Sequence, residues 1–324
     1  MTKSLLVISE RPEDIAFAVE VALGASLSLK TVKSPKEAAA IIQEEEPQII
    51  FADTSTQEQY EKLEAAIQES VGLFSDKISA NAIHFLSSQP LESVQYLIQS
   101  PLFGHFILRN YGDPKAAGQH YSRIVKATLA EHAFGLHKLL PLSAKIQTVK
   151  LTSTSQKQSA VEAIKNYLIS AKFQTRMATV VANAVDELLM NAMFDAPVDD
   201  LGKPLYSATA RNTEMKLDGK HSVEMHVGYD GAYAAVSAVD MFGSLDKLKL
   251  LSHVSKIYTD EEYKVKTSIA GAGIGLATVF RSGGSFFFAS ESRARTEVTV
   301  FFKRTDSFRE FKDQFRFIST QFYF

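Results

Sequence analysis

The sequence has 324 residues, of which 45% are hydrophobic and 22% charged, enough apolar material for about two domain cores. A formal net charge of −2 argues against a nucleic-acid or membrane-surface partner, and the absence of cysteine excludes disulfides and thiolate metal sites. The opening MTKSLLVISERPED has too short an apolar run for a signal-peptide core. No run of about 18 apolar residues marks a membrane span, so the expected compartment is the cytoplasm.

The first third alternates strand-like and helix-like stretches. Residues 5–8 form a short apolar run that Ser9-Glu10-Arg11-Pro12 breaks. Helical spacing of apolar residues predicts a helix over 15–23, and 27–32 reads as a strand. Ala-rich 36–43 suits a second helix, and 48–53 is a buried strand ending on the carboxylate of Asp53. Residues 60–69 suit a helix, and 83–87 and 106–109 suit two further strands. This rhythm predicts an α/β domain with a doubly wound parallel sheet, its functional groups at the carboxyl ends of the strands.

Residues 1–128, read this way, resemble a response-regulator receiver domain of flavodoxin-like architecture. Asp53 stands where that family carries its phosphoacceptor aspartate, and Ser87 where a hydroxyl residue ends the fourth strand. Phe106 occupies the place of the switch aromatic and Arg109 that of the family's lysine. Ser9-Glu10 replaces the family's acidic pair, which removes one magnesium-binding carboxylate, although Glu10 could still hold a metal. Neither proline nor glycine follows Asp53 in the family's loop pattern. Phosphoryl transfer to a carboxylate needs a metal and a cation, and arginine does not replace lysine as a compact point donor. The resemblance implies a degenerate receiver that serves dimerisation or docking. Asp53 is the candidate phosphoacceptor, with a loop-satisfying carboxylate as the alternative.

Residues 116–140 carry Tyr121, Ile124, Val125, Leu129, Phe134 and Leu136 at helical spacing and stop at Pro141. They predict one helix that ends the receiver-like unit and runs into a linker over 129–144. His120, His132 and His137 on it are followed by Tyr121, Ala133 and Lys138 rather than by an acidic residue. With one helix instead of a hairpin, they read as surface or helix-end residues, and a self-phosphorylating histidine kinase is not expected.

Beyond the linker, 145–151 alternates as a strand, 155–170 is amphipathic, and 174–195 is a long helix. Within it, Asp186-Glu187-Leu188-Leu189-Met190-Asn191-Ala192 places Glu187 and Asn191 on one face at i and i+4. Asp186 points about 100° away. Loop chemistry over 196–202 ends the helix. Strands over 222–228 and 232–239 flank the turn Tyr229-Asp230-Gly231, and the second runs into Asp240-Met241-Phe242-Gly243-Ser244. Residues 244–270 are polar and carry five lysines, the last being Lys266. Gly271-Ala272-Gly273-Ile274-Gly275-Leu276 then opens a helix whose glycines let backbone N–H groups approach phosphate oxygens. A dinucleotide fingerprint fails, because the third glycine comes one position early and no strand precedes it. Two more strands cover 283–290 and 296–302.

In this order and with these gaps, the three pieces resemble the N, G1 and G2 boxes of the GHKL ATPase superfamily, which includes gyrase, histidine kinases and anti-sigma-factor serine kinases. The resemblance covers 145–304 and implies a C-terminal α/β sandwich of the Bergerat ATP-binding type, with ATP and Mg2+ as ligands. It implies that Asn191 holds magnesium, that Glu187 activates an attacking hydroxyl or water, and that Asp240 accepts the adenine amino group. Gly243, Gly271, Gly273, Gly275 and Leu276 would serve the nucleotide and its lid, which spans 244–270 and brings Lys266 and Thr267 toward phosphates. Thr296 would touch phosphate or the Asn191 helix. The family's Asp-x-Gly-x-Gly is altered here, with Phe242 and Ser244 in the glycine positions and Gly243 between them.

The tail, 305–324, holds Phe308, Phe311, Phe315, Phe317, Phe322 and Phe324. The first three suggest an amphipathic helix, packed on its parent domain or used for self-association. Together these readings describe a cytoplasmic signalling protein that binds Mg-ATP and phosphorylates a partner protein, as anti-sigma-factor serine kinases do. Its alternatives are a nucleotide-sensing interaction module that barely turns ATP over, and a histidine kinase core serving a separate phosphotransfer partner. The partners are a signalling protein or a second copy in a homodimer, with no nucleic acid and no membrane.

Overall fold

A computed structural model describes residues 3–71, 79–206, 208–245, 247, 250–251 and 274–323. The protein is α/β with a large mixed sheet of parallel and antiparallel strands. The chain divides into two compact units, 1–133 with 315–320 and 134–314 with 321–324.

In the first unit, strands β1 (Ser4–Ile8), β2 (Ser28–Val32), β3 (Ile49–Asp53), β4 (Ile83–Ser87) and β5 (His105–Leu108) run parallel in the order β2-β1-β3-β4-β5. β1, β4 and β5 are buried along their whole length, His84 and His105 included, which is why they are predominantly apolar. Helices α1 (Pro12–Ala25), α2 (Pro35–Glu45), α3 (Gln57–Val71), α4 (Gln95–Ile98) and α5 (Pro114–Thr128) accompany them. Prolines open α1, α2 and α5, and the side chains of Ser34 and Asp113 cap α2 and α5 by accepting from the N–H groups of Glu37 and Lys115. α1 packs against α5 and α2 against α3. The strand order reverses between β1 and β3, where doubly wound sheets open a crevice at the strands' carboxyl ends.

In the second unit, β6 (Lys145–Leu151), β7 (Val223–Tyr229), β8 (Tyr233–Asp240), β9 (Ser285–Glu291) and β10 (Arg295–Lys303) are antiparallel in the order β9-β10-β8-β7-β6. Helices α6 (Leu136–Leu139), α7 (Lys157–Ser170), α8 (Thr175–Met190), α9 (Ile274–Arg281) and α10 (Phe308–Lys312) belong to it. α8 buries Met177, Val181, Val185 and Leu188 along one stripe and packs on α7, α9 and β8.

Three expectations need correction. The helix expected over 116–140 stops at Thr128, and helix resumes only at α6, because Gly135 takes φ 103° and turns its N–H to the Glu297 carboxylate at 2.7 Å. His120, read as a surface or helix-end residue, is buried in the middle of α5 beside the Phe317 ring. In the tail, the helix expected from Phe308, Phe311 and Phe315 holds only the first two. After the short α10 the chain becomes a strand, β11 (Arg316–Tyr323), whose first half pairs antiparallel with β5, Phe317 opposite Ile107. Phe308, Phe311 and Phe315 mimic a helical repeat, but Phe315 and Phe317 follow the two-residue repeat of a strand. They enter the first unit's aromatic core, with the rings of Phe317 and Tyr121 4.9 Å apart.

Candidate functional site

The carboxyl end of β8 builds the most distinctive polar surface of the second unit. Asp240 ends that strand, opposite Thr296 on β10, which in turn faces Ser290 on β9. The three side chains form one cross-strand row and are all buried, with 3.3 Å between the Ser290 and Thr296 hydroxyls. The row lies against a cavity of about 900 Å3 lined also by Leu188, Asn191, Asp195, Gly243, Leu276 and Phe288.

Asp240 has unusual electrostatics. One of its oxygens accepts the Phe242 N–H at 2.9 Å, and among the described residues no cation pairs with it. Burial pushes its carboxyl up to about 7, and the backbone N–H groups of Phe242 and Gly243 offset only part of that. Gly243 holds φ 56°, and a Cβ there would stand 1.9 Å from the Glu291 carbonyl oxygen, so only glycine fits. Phe242, in a place the family gives to glycine, is buried beside the His221 ring, with the Lys220 ammonium 5.3 Å from its centroid.

A second wall comes from α8 and the single π turn, Asn191–Asp195, that extends it. Such π turns recur where a helix carries function. Asn191 is half-buried on the cavity wall, and its side-chain amide has no hydrogen-bond partner among the described residues. Glu187, one turn earlier, is half-buried and lies outside the cavity lining. Burial raises its carboxyl, Asp186 adds to the rise, and Arg211 and Lys157 oppose it. Arg211 also ties down the π turn through Asp195, at 2.8 and 3.1 Å.

Gly275 lies in α9 and Leu276 is half-buried on the cavity wall. Gly271 and Gly273, with Lys266, Thr267 and most of 244–270, lie outside the described residues. Sequence reasoning brought Asn191, Asp240, Gly243, Leu276 and Thr296 to one cavity. It missed Ser290, Asp195 and Arg211. Asp195 had a signal, standing four residues after Asn191 as Asn191 stands four after Glu187.

No protein-family model and no curated protein matches the chain.

The first unit carries a separate polar cluster at the β1/β3 crevice. Arg109, just after β5, donates through Nε and Nη2 to both oxygens of Asp14, at 2.8 and 2.9 Å. Its Nη2 is also 2.8 Å from Asp53 Oδ1, and its Nη1 donates to the Ser55 and Ser88 hydroxyls at 2.9 and 2.5 Å. Asp14 accepts further bonds from the Ser9 and Tyr111 hydroxyls, and Arg11 Nε reaches Asp53 Oδ2 at 3.1 Å. Burial alone would raise the Asp53 carboxyl. Hydrogen bonds from Arg109 and Ser55, the Arg109 charge and Arg11 outweigh it and hold the group low.

Two expectations about this cluster change. Glu10 is exposed, and the buried acid is Asp14, on the first turn of α1. The hydroxyls that meet Arg109 belong to Ser55 and Ser88, whereas Ser87 turns to the Gln89 carbonyl. Asp14 was detectable in the sequence as a carboxylate on the apolar stripe it shares with Phe17, Ala18 and Val21. Among the described residues no helix is long and apolar enough to cross a membrane, and no group of three or more His, Cys, Asp or Glu side chains could hold a metal.

Proposed function

We propose that the second unit binds Mg-ATP in the cavity beside Asp240 and that the protein uses it to phosphorylate a partner protein. This follows the resemblance to the anti-sigma-factor kinases of the GHKL superfamily, with the first unit as a degenerate receiver-like docking domain. Asp240 carries the reading. A carboxylate buried at a strand end, without a paired cation among the described residues and open to a cavity, gains most from a ligand that brings N–H donors of its own. The exocyclic amine of adenine is such a donor. Asn191 contributes an amide oxygen with no hydrogen-bond partner among the described residues, the hard neutral donor that magnesium accepts beside water and phosphate oxygens. Glu187, its proton affinity raised by burial, would take the proton of an acceptor hydroxyl.

One observation favours a second reading, in which the unit senses nucleotide without turning it over: Glu187 is not part of the cavity wall. Glu187→Ala separates the two. Under the kinase reading, ATP hydrolysis or transfer falls by about 10^2–10^4-fold, the usual worth of a general base, while ATP affinity holds. A wild type that binds Mg-ATP with turnover no faster than Glu187→Ala would leave the sensor in place of the kinase.

A further inference from the structure

We infer that Arg109 is the resident cation of the Asp14/Asp53 carboxylate site, so that the first unit takes no divalent metal there and Asp53 is withheld from phosphoryl transfer. This goes beyond the docking role proposed for that unit and depends on no nucleotide. All five N–H donors of the guanidinium face acceptors: two on Asp14, one on Asp53, and the hydroxyls of Ser55 and Ser88. The Arg109 side chain is 4% exposed, between carboxylates that are 0% and 9% exposed. A group so enclosed leaves only by breaking every one of those bonds. The buried pair of carboxylates, Asp14 and Asp53, meets the buried Arg109 and, at its exposed edge, Arg11, which also reaches Glu13 at 3.7 Å, so positive charge already sits against both acids.

A divalent ion would have to enter beside a fixed positive charge or displace it. Asp53 is equally committed. Oδ1 meets Arg109 and the N–H and hydroxyl of Ser55, and Oδ2 meets Arg11 and, at 3.5 Å, Gln59. Neither oxygen keeps a lone pair free to attack phosphorus. A lysine could not close the site this way, because its three donors cannot serve both oxygens of Asp14, Asp53 and the two serine hydroxyls at once.

The test is Mn2+ uptake by the full-length protein, followed by electron paramagnetic resonance, in wild type, Asp53→Asn, Arg109→Ala and the double variant. Wild type and Asp53→Asn are expected to take up Mn2+ identically. Arg109→Ala is expected to gain one saturable site that the double variant loses. An Asp53-dependent site in the wild type, or a folded Arg109→Ala that gains none, would overturn the inference. Should Arg109→Ala not fold, wild type against Asp53→Asn still decides. Acetyl phosphate gives an independent check by intact mass: the wild type is expected to remain unmodified, and a phosphoryl group on Asp53 would refute the lock.

Discussion

Consider Asp240→Asn, which keeps the size of the side chain and removes its ionisation. Burial moves the Asp240 carboxyl from its ordinary 3.8 to about 7. At 1.36 kcal/mol per pH unit, that shift corresponds to about 4 kcal/mol for ionising the group inside the fold. It is an upper bound, since water entering the cavity relieves part of it. The folded state holds this proton more tightly than the unfolded state, so Asp240 makes stability fall as pH rises from about 4 to about 7, with no further loss above. Asparagine is free of that penalty. The variant should therefore match the wild type near pH 4, pull ahead of it up to pH 7, and keep a constant lead beyond. For a unit of this size about 1 kcal/mol moves Tm by roughly 2–4 °C, so the lead at pH 8 should be several degrees. The same variant should lose the stabilisation by Mg-ATP, because an amide cannot offer two charged acceptor oxygens at the strand end. Calorimetry from pH 4 to 9, with and without Mg-ATP, reads both effects. A variant no more stable than wild type at pH 8 would refute the burial argument, and one that keeps the full ATP shift would remove Asp240 from recognition.

Gly243→Ala forces a Cβ to within 1.9 Å of the Glu291 carbonyl at a positive φ, so urea unfolding should show a loss of about 1–3 kcal/mol or more. An unchanged midpoint would mean that the turn yields easily. Phe317→Ala empties a fully buried site in the first unit and should cost about 3–5 kcal/mol by the same measurement. If the tail were only a loose appendage, the change would be negligible.

Much of the architecture was legible because local and global signals agree. The apolar run at 5–8 and the strand-like stretch at 83–87 became β1 and β4, and the alternating run at 145–151 became β6 with the same limits. Asn191, Asp240 and Thr296 converge because a helix end and two paired strands meet at one cavity, and the order of the motifs reflects that. What stayed hidden depends on contacts distant in sequence. β11 pairs with a strand some 200 residues earlier, and no local period announces such a partner. Arg109 was read by analogy as one cation near one acid. Its bidentate hold on Asp14, 95 residues away, is a matter of side-chain geometry alone. The break at Gly135 likewise depends on Glu297, whose carboxylate waits for that N–H.

The most direct test of the second unit's role is a thermal-unfolding comparison of the wild type with Mg-ATP and with Mg-GTP at equal concentration. A carboxylate reader accepts from the amine of adenine and is repelled by the carbonyl that guanine presents in its place. At about a hundredfold excess over Kd, ATP should stabilise by about 2.7 kcal/mol, a rise of several degrees, while GTP leaves Tm unchanged. No shift with ATP, or equal shifts with both nucleotides, would contradict an adenine-reading pocket at Asp240.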